Sequence, residues 1–307
     1  MSDPAPYVAR RTPRSQFVPV RGLRYHVNLW GDIGAATRER PLLVWMHGWM
    51  DVGASLQFVV DALQRERAIA APDWRGFGRT VAPPLTDSYW FADYLGDLDA
   101  LLDALSPQQP VDLAGHSMGG NVVMTYAGAR PERLRRLVNM EGFGLPESKP
   151  EQAPERLRQW LDELKTRQRL RPYASLADVA ARLVKNNPRL APERARWLAE
   201  HWAERRDDGQ WHVLGDPAHK RVNPSLYRKD EIVEGWKRIA CPTLWIEGDE
   251  TDPDRWWGHR YPRSEFDARI GVVRQLQRAR LAACGHMLHF DQPQALAAAL
   301  ERFLDTP

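Results

Sequence analysis

A mostly parallel α/β sheet with helices on both faces, interrupted by a helical insertion, is the fold class that three features of this 307-residue sequence predict. Short, nearly continuous apolar runs alternate with stretches of helical period, the pattern of a sheet buried on both faces. One run, Val111-Asp112-Leu113-Ala114, passes through Gly115-His116-Ser117-Met118-Gly119-Gly120 into a helical stretch, which puts a serine at a sharp strand-to-helix turn. Between residues 146 and 236 the alternation stops and the signals become nearly all helical.

Residues 1–15, rich in Pro and Arg, read as a loose arm. Residues 23–29 alternate apolar and polar side chains, which predicts a half-exposed antiparallel strand near a sheet edge. Residues 41–46 are continuously apolar and end in His47-Gly48-Trp49, as a strand buried on both faces would. A helix over 54–63 and a short strand over 68–71 follow, then the loop Pro72-Asp73-Trp74-Arg75-Gly76-Phe77-Gly78-Arg79. Residues 89–105 make a strong helix, with Leu95, Leu98, Leu102 and Leu105 on one side. After Ser117 the helix runs to residue 129, and 134–140 is the next strand.

In the insertion, Leu157, Trp160, Leu161 and Leu164 share one helical face, and Leu176, Val179 and Leu183 share another. Ser175 with Asp178 forms a capping box, and Pro192 suits a first helical turn. Strands at 242–247 and 280–283 resume the α/β pattern, and a helix over 293–304 closes it. The chain therefore divides into a core of residues 1–145 and 237–307 and a cap of residues 146–236, inserted after the sixth core strand.

Lys and Arg total 43 against 40 Asp and Glu, and the signs alternate along residues 155–171, which describes a solvated helix surface and argues against a nucleic-acid partner. The two cysteines, Cys241 and Cys284, abut apparent strands and read as small core residues, which fits a reducing, cytoplasmic setting. No run of about 18 apolar residues occurs and the N-terminus carries no export pattern, so no membrane association is expected.

The chemistry centres on Ser117. A serine held in a strained backbone crowds its neighbours two positions away, and Gly115 and Gly119 remove the clash. The helix that starts beyond it offers unpaired N–H groups to an anion. The base is expected at His286, in Cys284-Gly285-His286-Met287-Leu288-His289 directly after the last strand; His289 is its rival, while His116 and His26 read as structural. The acid that orients the imidazole has two candidates, Asp252 after the strand ending at Gly248 and Glu141 after the strand before the insertion. Asp252 is placed first. The backbone N–H groups of Trp49 and Met118 are the expected oxyanion donors. No Cys/His cluster at ligand spacing and no phosphate-cradling loop occurs, so neither metal nor cofactor is expected.

His47-Gly48, Asp73-Trp74-Arg75-Gly76-Phe77-Gly78, the Gly115–Gly120 elbow and Gly285-His286 stand in the order in which they resemble the α/β-hydrolase fold family with a helical cap. The resemblance spans nearly the whole chain and implies Ser117 as nucleophile, His286 as base and Trp49 and Met118 as oxyanion donors. One position departs from the pattern. The family usually carries its acid three residues beyond the glycine that ends the seventh strand, and here that position is Thr251. Met140-Glu141 instead resembles the haloalkane dehalogenases of this fold, whose acid can follow strand six; they use an aspartate nucleophile, so Ser117 argues against dehalogenation or epoxide opening.

The expected activity is that of an esterase-type serine hydrolase cleaving an ester, thioester or related small-molecule acyl substrate through an acyl-enzyme. A carbon–carbon bond hydrolase with the same triad, or a non-catalytic ligand-binding member of the fold, are the alternatives. The substrate is expected to be uncharged and partly apolar. Trp160, Trp197, Trp202, Trp211 and Trp236 of the insertion would wall its pocket, or else only pack the cap onto the core.

Overall fold

The computed structural model describes residues 5–83 and 85–306. Eight strands form the main sheet in the order β1-β2-β4-β3-β5-β6-β9-β10. β1 (Arg14–Val20) and β2 (Leu23–Trp30) form an antiparallel hairpin, closed by Arg21 and Gly22, which both take positive φ (46° and 80°) as a tight two-residue turn requires. β2 also runs antiparallel to β4 (Ile69–Pro72), whereas β4, β3 (Leu43–Met46), β5 (Val111–His116), β6 (Leu134–Met140), β9 (Thr243–Gly248) and β10 (Leu276–Leu281) pair in parallel.

Alternate residues of each strand serve opposite faces. In β3, Val44 and Met46 join the core beneath α2 (Phe91–Leu105) and α3 (Met118–Ala129), while Leu43 and Trp45 pack under α1 (Gln57–Ala62) and the C-terminal α11 (Pro293–Leu304). The remaining core helices are short: α8 (Asp254–Trp257), α9 (Arg263–Ile270) and α10 (Leu288–Asp291). No helix among the described residues is long and apolar enough to cross a membrane.

The N-terminus differs from the loose arm expected of it. Residues 1–4 lie outside the described residues, but the backbone N–H groups of Arg10 and Arg11 each donate to the buried Asp61 carboxylate at 2.9 Å, and β1 begins at Arg14. β1 in turn covers β2, so the strand read as half-exposed is buried at every position but Arg24. Its polar residue His26 is accommodated by a hydrogen bond, with Nδ1 2.8 Å from Asp73 Oδ2. Alternation signalled exposure here, but a buried partner had replaced the solvent.

Between β6 and β9 lie α4 (Ala153–Leu164), α5 (Leu176–Asn186), α6 (Pro192–Trp202), a hairpin of β7 (Ala203–Arg205) and β8 (Trp211–Val213), and α7 (Lys229–Lys237). The hairpin interrupts the all-helical expectation; three-residue strands carry too little periodicity to be seen in sequence. α7 packs on α3 so closely that a Cβ on Gly128 would lie 2.3 Å from the Gly235 carbonyl, and Trp236 is part of the main core. By packing, α7 belongs with the core. The apolar face expected of α4 is only partly covered: Leu157 and Leu161 are exposed, while Trp160 packs against Trp90.

Candidate active site

The parallel strands deliver the expected site residues from their carboxyl ends, where α/β sheets place their sites. β5 ends in Ser117, held at φ 52° and ψ −115°, with its N–H donating to the Met140 carbonyl at 2.8 Å. This conformation is strained for any residue with a Cβ. A Cβ on Gly115 would meet the Gly119 carbonyl oxygen at 2.4 Å, and one on Gly119 would meet that of Met46 at 2.2 Å, so the elbow closes only with glycine at both positions. A Cβ on Gly48 would lie 3.3 Å from that of Ser117, which places the turn after β3, and with it the Trp49 N–H, beside the serine. The Met118 N–H belongs to the first turn of α3, whose amides have no partner within the helix.

His286 follows β10 on a loop pinned from two sides. The Gly285 N–H donates to Asp291 Oδ2 at 2.8 Å, and His116 Nε2 donates to the His286 carbonyl at 2.7 Å. Its Nδ1 donates to Glu141 Oε2 at 2.6 Å. Glu141 is buried at the end of β6, and its second oxygen accepts from the Gly248 N–H at 2.7 Å and from Thr251 Oγ1 at 2.6 Å. With the proton held on Nδ1, Nε2 remains the acceptor a serine needs. A Ser117 Oγ to His286 hydrogen bond is not formed in this structure. The two residues share a neighbourhood through His116, whose ring lies 4.8 Å from that of His286. The rings of His286 and the exposed Trp256 meet in an edge-to-face arrangement with centroids 4.7 Å apart.

Asp252, placed first from the sequence, is not the acid beside His286. It stands on an exposed turn, accepts from the Asp254 N–H at 3.1 Å and lies 3.5 Å from Arg255. The reason is geometric. β9 lies next to β6, so the ends of both strands flank β5 on the same side, and the longer Glu141 side chain reaches the imidazole from the nearer one. Thr251, at the position where the family usually carries its acid, donates a hydrogen bond to Glu141 instead. A hydroxyl there, with a glutamate ending β6, was the signal available in the sequence.

His289 is turned away from the role of base: it is buried, with Nε2 3.2 Å from Asp51 Oδ2. Asp51 follows the Trp49 turn and also accepts from Ser55 Oγ and from Trp202 Nε1 of α6, the latter at 3.3 Å. Burial alone would raise the Asp51 pKa, but the hydrogen bond and charge of His289, with His47 behind it, bring it well below the usual carboxylate range. Burial, followed by the proximity of His289 and His286, holds His116 far below the ordinary histidine value, so its ring is neutral. One ligand atom from each of Asp51, His116 and His289 lies within 4.8 Å of the others, making this trio the group among the described residues able to hold a metal ion. The three residues are too far apart in the sequence to show ligand spacing.

A depressed folded pKa stabilises the protein above the ordinary Asp value, and that contribution is lost as pH falls through the folded value. Asp51→Asn is therefore expected to cost about 3 kcal/mol at neutral pH, as removal of one partner of a buried pair does. Urea titrations of both proteins should show a gap at about pH 5 that narrows as the solution becomes more acidic than the ordinary Asp value. A gap that fails to narrow below about pH 4 would mean that Asp51 is not the charged partner.

A family model for the alpha/beta hydrolase fold matches residues 41–293. The chain belongs to this family. It is 26% identical to the serine hydrolase-like protein of Danio rerio over 90% of this chain and 85% of that protein. It is 36% identical to epoxide hydrolase 2 of Siraitia grosvenorii, but over only 40% of this chain and 37% of that protein's length. The thioesterase domain from the curacin biosynthetic pathway shares the fold at a TM-score of 0.81 and 24% identity, covering 95% of this chain and 99% of that domain. In this α/β hydrolase the tryptophans of the insertion mostly fasten it to the core. Trp197 packs edge-on against Tyr7 and Phe58, Trp160 against Trp90, and Trp202 bonds Asp51.

Proposed function

We propose that this α/β hydrolase is a serine hydrolase of esterase type, with Ser117 as nucleophile, His286 as base and Glu141 as the acid that holds it. The observation that carries this reading is the His286 to Glu141 hydrogen bond of 2.6 Å, formed at the sheet end where the strained elbow presents Ser117. His286 Nε2 would take the Ser117 proton as Oγ attacks an acyl carbonyl, and the Trp49 and Met118 N–H groups would receive the oxyanion. The proton then passes to the leaving group, and water activated by His286 releases the acid. Epoxide opening, the activity named for several relatives, fits less well, because it would call for a carboxylate where this chain has Ser117.

A fluorophosphonate probe is expected to label the intact protein at Ser117 alone, with no labelling of Ser117→Ala. A panel of neutral esters and thioesters should give acid plus alcohol or thiol as products. Labelling elsewhere, or products of carbon–carbon cleavage, would overturn the assignment.

A further inference from the structure

Beside the cap hairpin runs a groove of about 860 Å3, bounded by the core loop 76–82, residues 167–172 and the strands β7 and β8. Its charge is unbalanced. Arg79, Arg167 and Arg169 line it, and none of their guanidinium groups has an acidic partner among the described residues. The acids on its walls are already engaged: Glu204 pairs with Arg206 at 3.0 Å, and Asp216 accepts from Tyr89 Oη and from the Ala218 N–H, each at 2.8 Å. With Arg206 included, four arginines face the carboxylates of Glu204 and Asp216, a local excess of positive charge in a chain whose net charge is only +3. The neighbouring His201 is pushed down to about 4, by burial first and then by the charge of Arg79.

The groove approaches the turn that follows β3. Met50, next to Trp49, would lie 3.3 Å from a Cβ placed on Gly215, and Leu170 3.6 Å from it. Both Gly215 and Leu170 line the groove. A substrate with its carbonyl at Ser117 and its leaving group directed past Met50 would reach the arginine groove. Guanidinium groups match phosphate oxygens in paired hydrogen bonds.

We propose that this groove binds the phosphate-bearing leaving group of an acyl thioester or ester, an inference that rests on the serine hydrolase reading for its chemistry but not for its binding. In the thioester case, Ser117 Oγ bonds to the carbonyl carbon as the C–S bond breaks. The departing sulfur receives the proton that His286 took from Ser117, and water then hydrolyses the acyl-serine to acid. This departs from the uncharged substrate expected from sequence. Arg79 and the pair at 167 and 169 lie far apart in the chain, so only the fold brings them together.

The test uses coenzyme A and pantetheine, which share an arm and a thiol and differ in their phosphates, titrated calorimetrically into the intact protein. Coenzyme A is expected to bind at least about tenfold more tightly at low salt, with the gap shrinking as ionic strength rises. Arg79→Gln/Arg167→Gln/Arg169→Gln should abolish the gap, and Arg171→Gln, an exposed arginine outside the groove, should preserve it. Equal affinities in the wild type, or a gap that survives the triple substitution, overturns the inference. Pyrophosphate displacing coenzyme A at matching affinity would overturn the leaving-group assignment, since the groove would then read free phosphate. Should the gap behave as expected while acyl-coenzyme A is not turned over and Ser117 is not labelled, the groove stands and the hydrolase reading falls.

Discussion

Glu141→Gln is expected to lower kcat by roughly three decades, while Asp252→Asn leaves it within about twofold, because the acid's work is to hold one imidazole tautomer. The hydrogen bonds around residue 141 make the glutamine variant informative. Its amide oxygen would stay where Glu141 Oε1 accepts from Gly248 and Thr251, so its NH2 group would face His286 Nδ1. A donor there forces the imidazole proton onto Nε2, and an Nε2–H cannot accept from a serine. The fold should survive, since shape and the two accepted bonds are retained. Steady-state rates on one neutral ester measure the outcome. If the Asp252 variant is the severe one, or both effects are small, then the carboxylate seen beside His286 is not the catalytic one.

Ser117→Ala is expected to lose three or more decades of kcat with no loss of stability, since the attacking oxygen is removed and the elbow is otherwise unchanged. Ser117→Gly should be equally inactive yet more stable than the alanine variant. The residue sits at φ 52° and ψ −115°, where any Cβ is strained. Relief of that strain, about 1–3 kcal/mol, outweighs the roughly 1 kcal/mol of extra chain entropy that glycine loses on folding. Urea denaturation of the two variants compares them directly. A glycine variant less stable than the alanine variant would show that the elbow stores no strain, and residual activity in either would move the nucleophile elsewhere.

The elbow, the buried parallel strands and the His286 loop were legible because each rests on local rules: apolar continuity for a strand buried on both faces, and glycine where a Cβ cannot fit. Gly115 and Gly119 are such positions, and the clashes they avoid involve backbone within a few residues or on the adjacent strand. The acid was not legible in the same way. Asp252 and Glu141 each follow a strand, and choosing between them requires knowing that β6 and β9 are neighbours and which side chain turns toward His286. β1 was missed for a related reason. It begins inside the Pro- and Arg-rich first 15 residues and carries Pro19 itself, and only its pairing with β2 makes it a strand.

By itself the sequence determined the α/β class and marked Ser117 and His286 as the candidate pair, because these follow from periodicity and from residues close together in the chain. Tertiary structure alone decided that Glu141, not Asp252, meets the imidazole, and that the insertion's tryptophans mostly fasten it to the core. It alone gathered Arg79, Arg167 and Arg169 into one groove. Such outcomes depend on the distances and directions of side chains brought together from distant segments, and pattern along the chain carries no information about either.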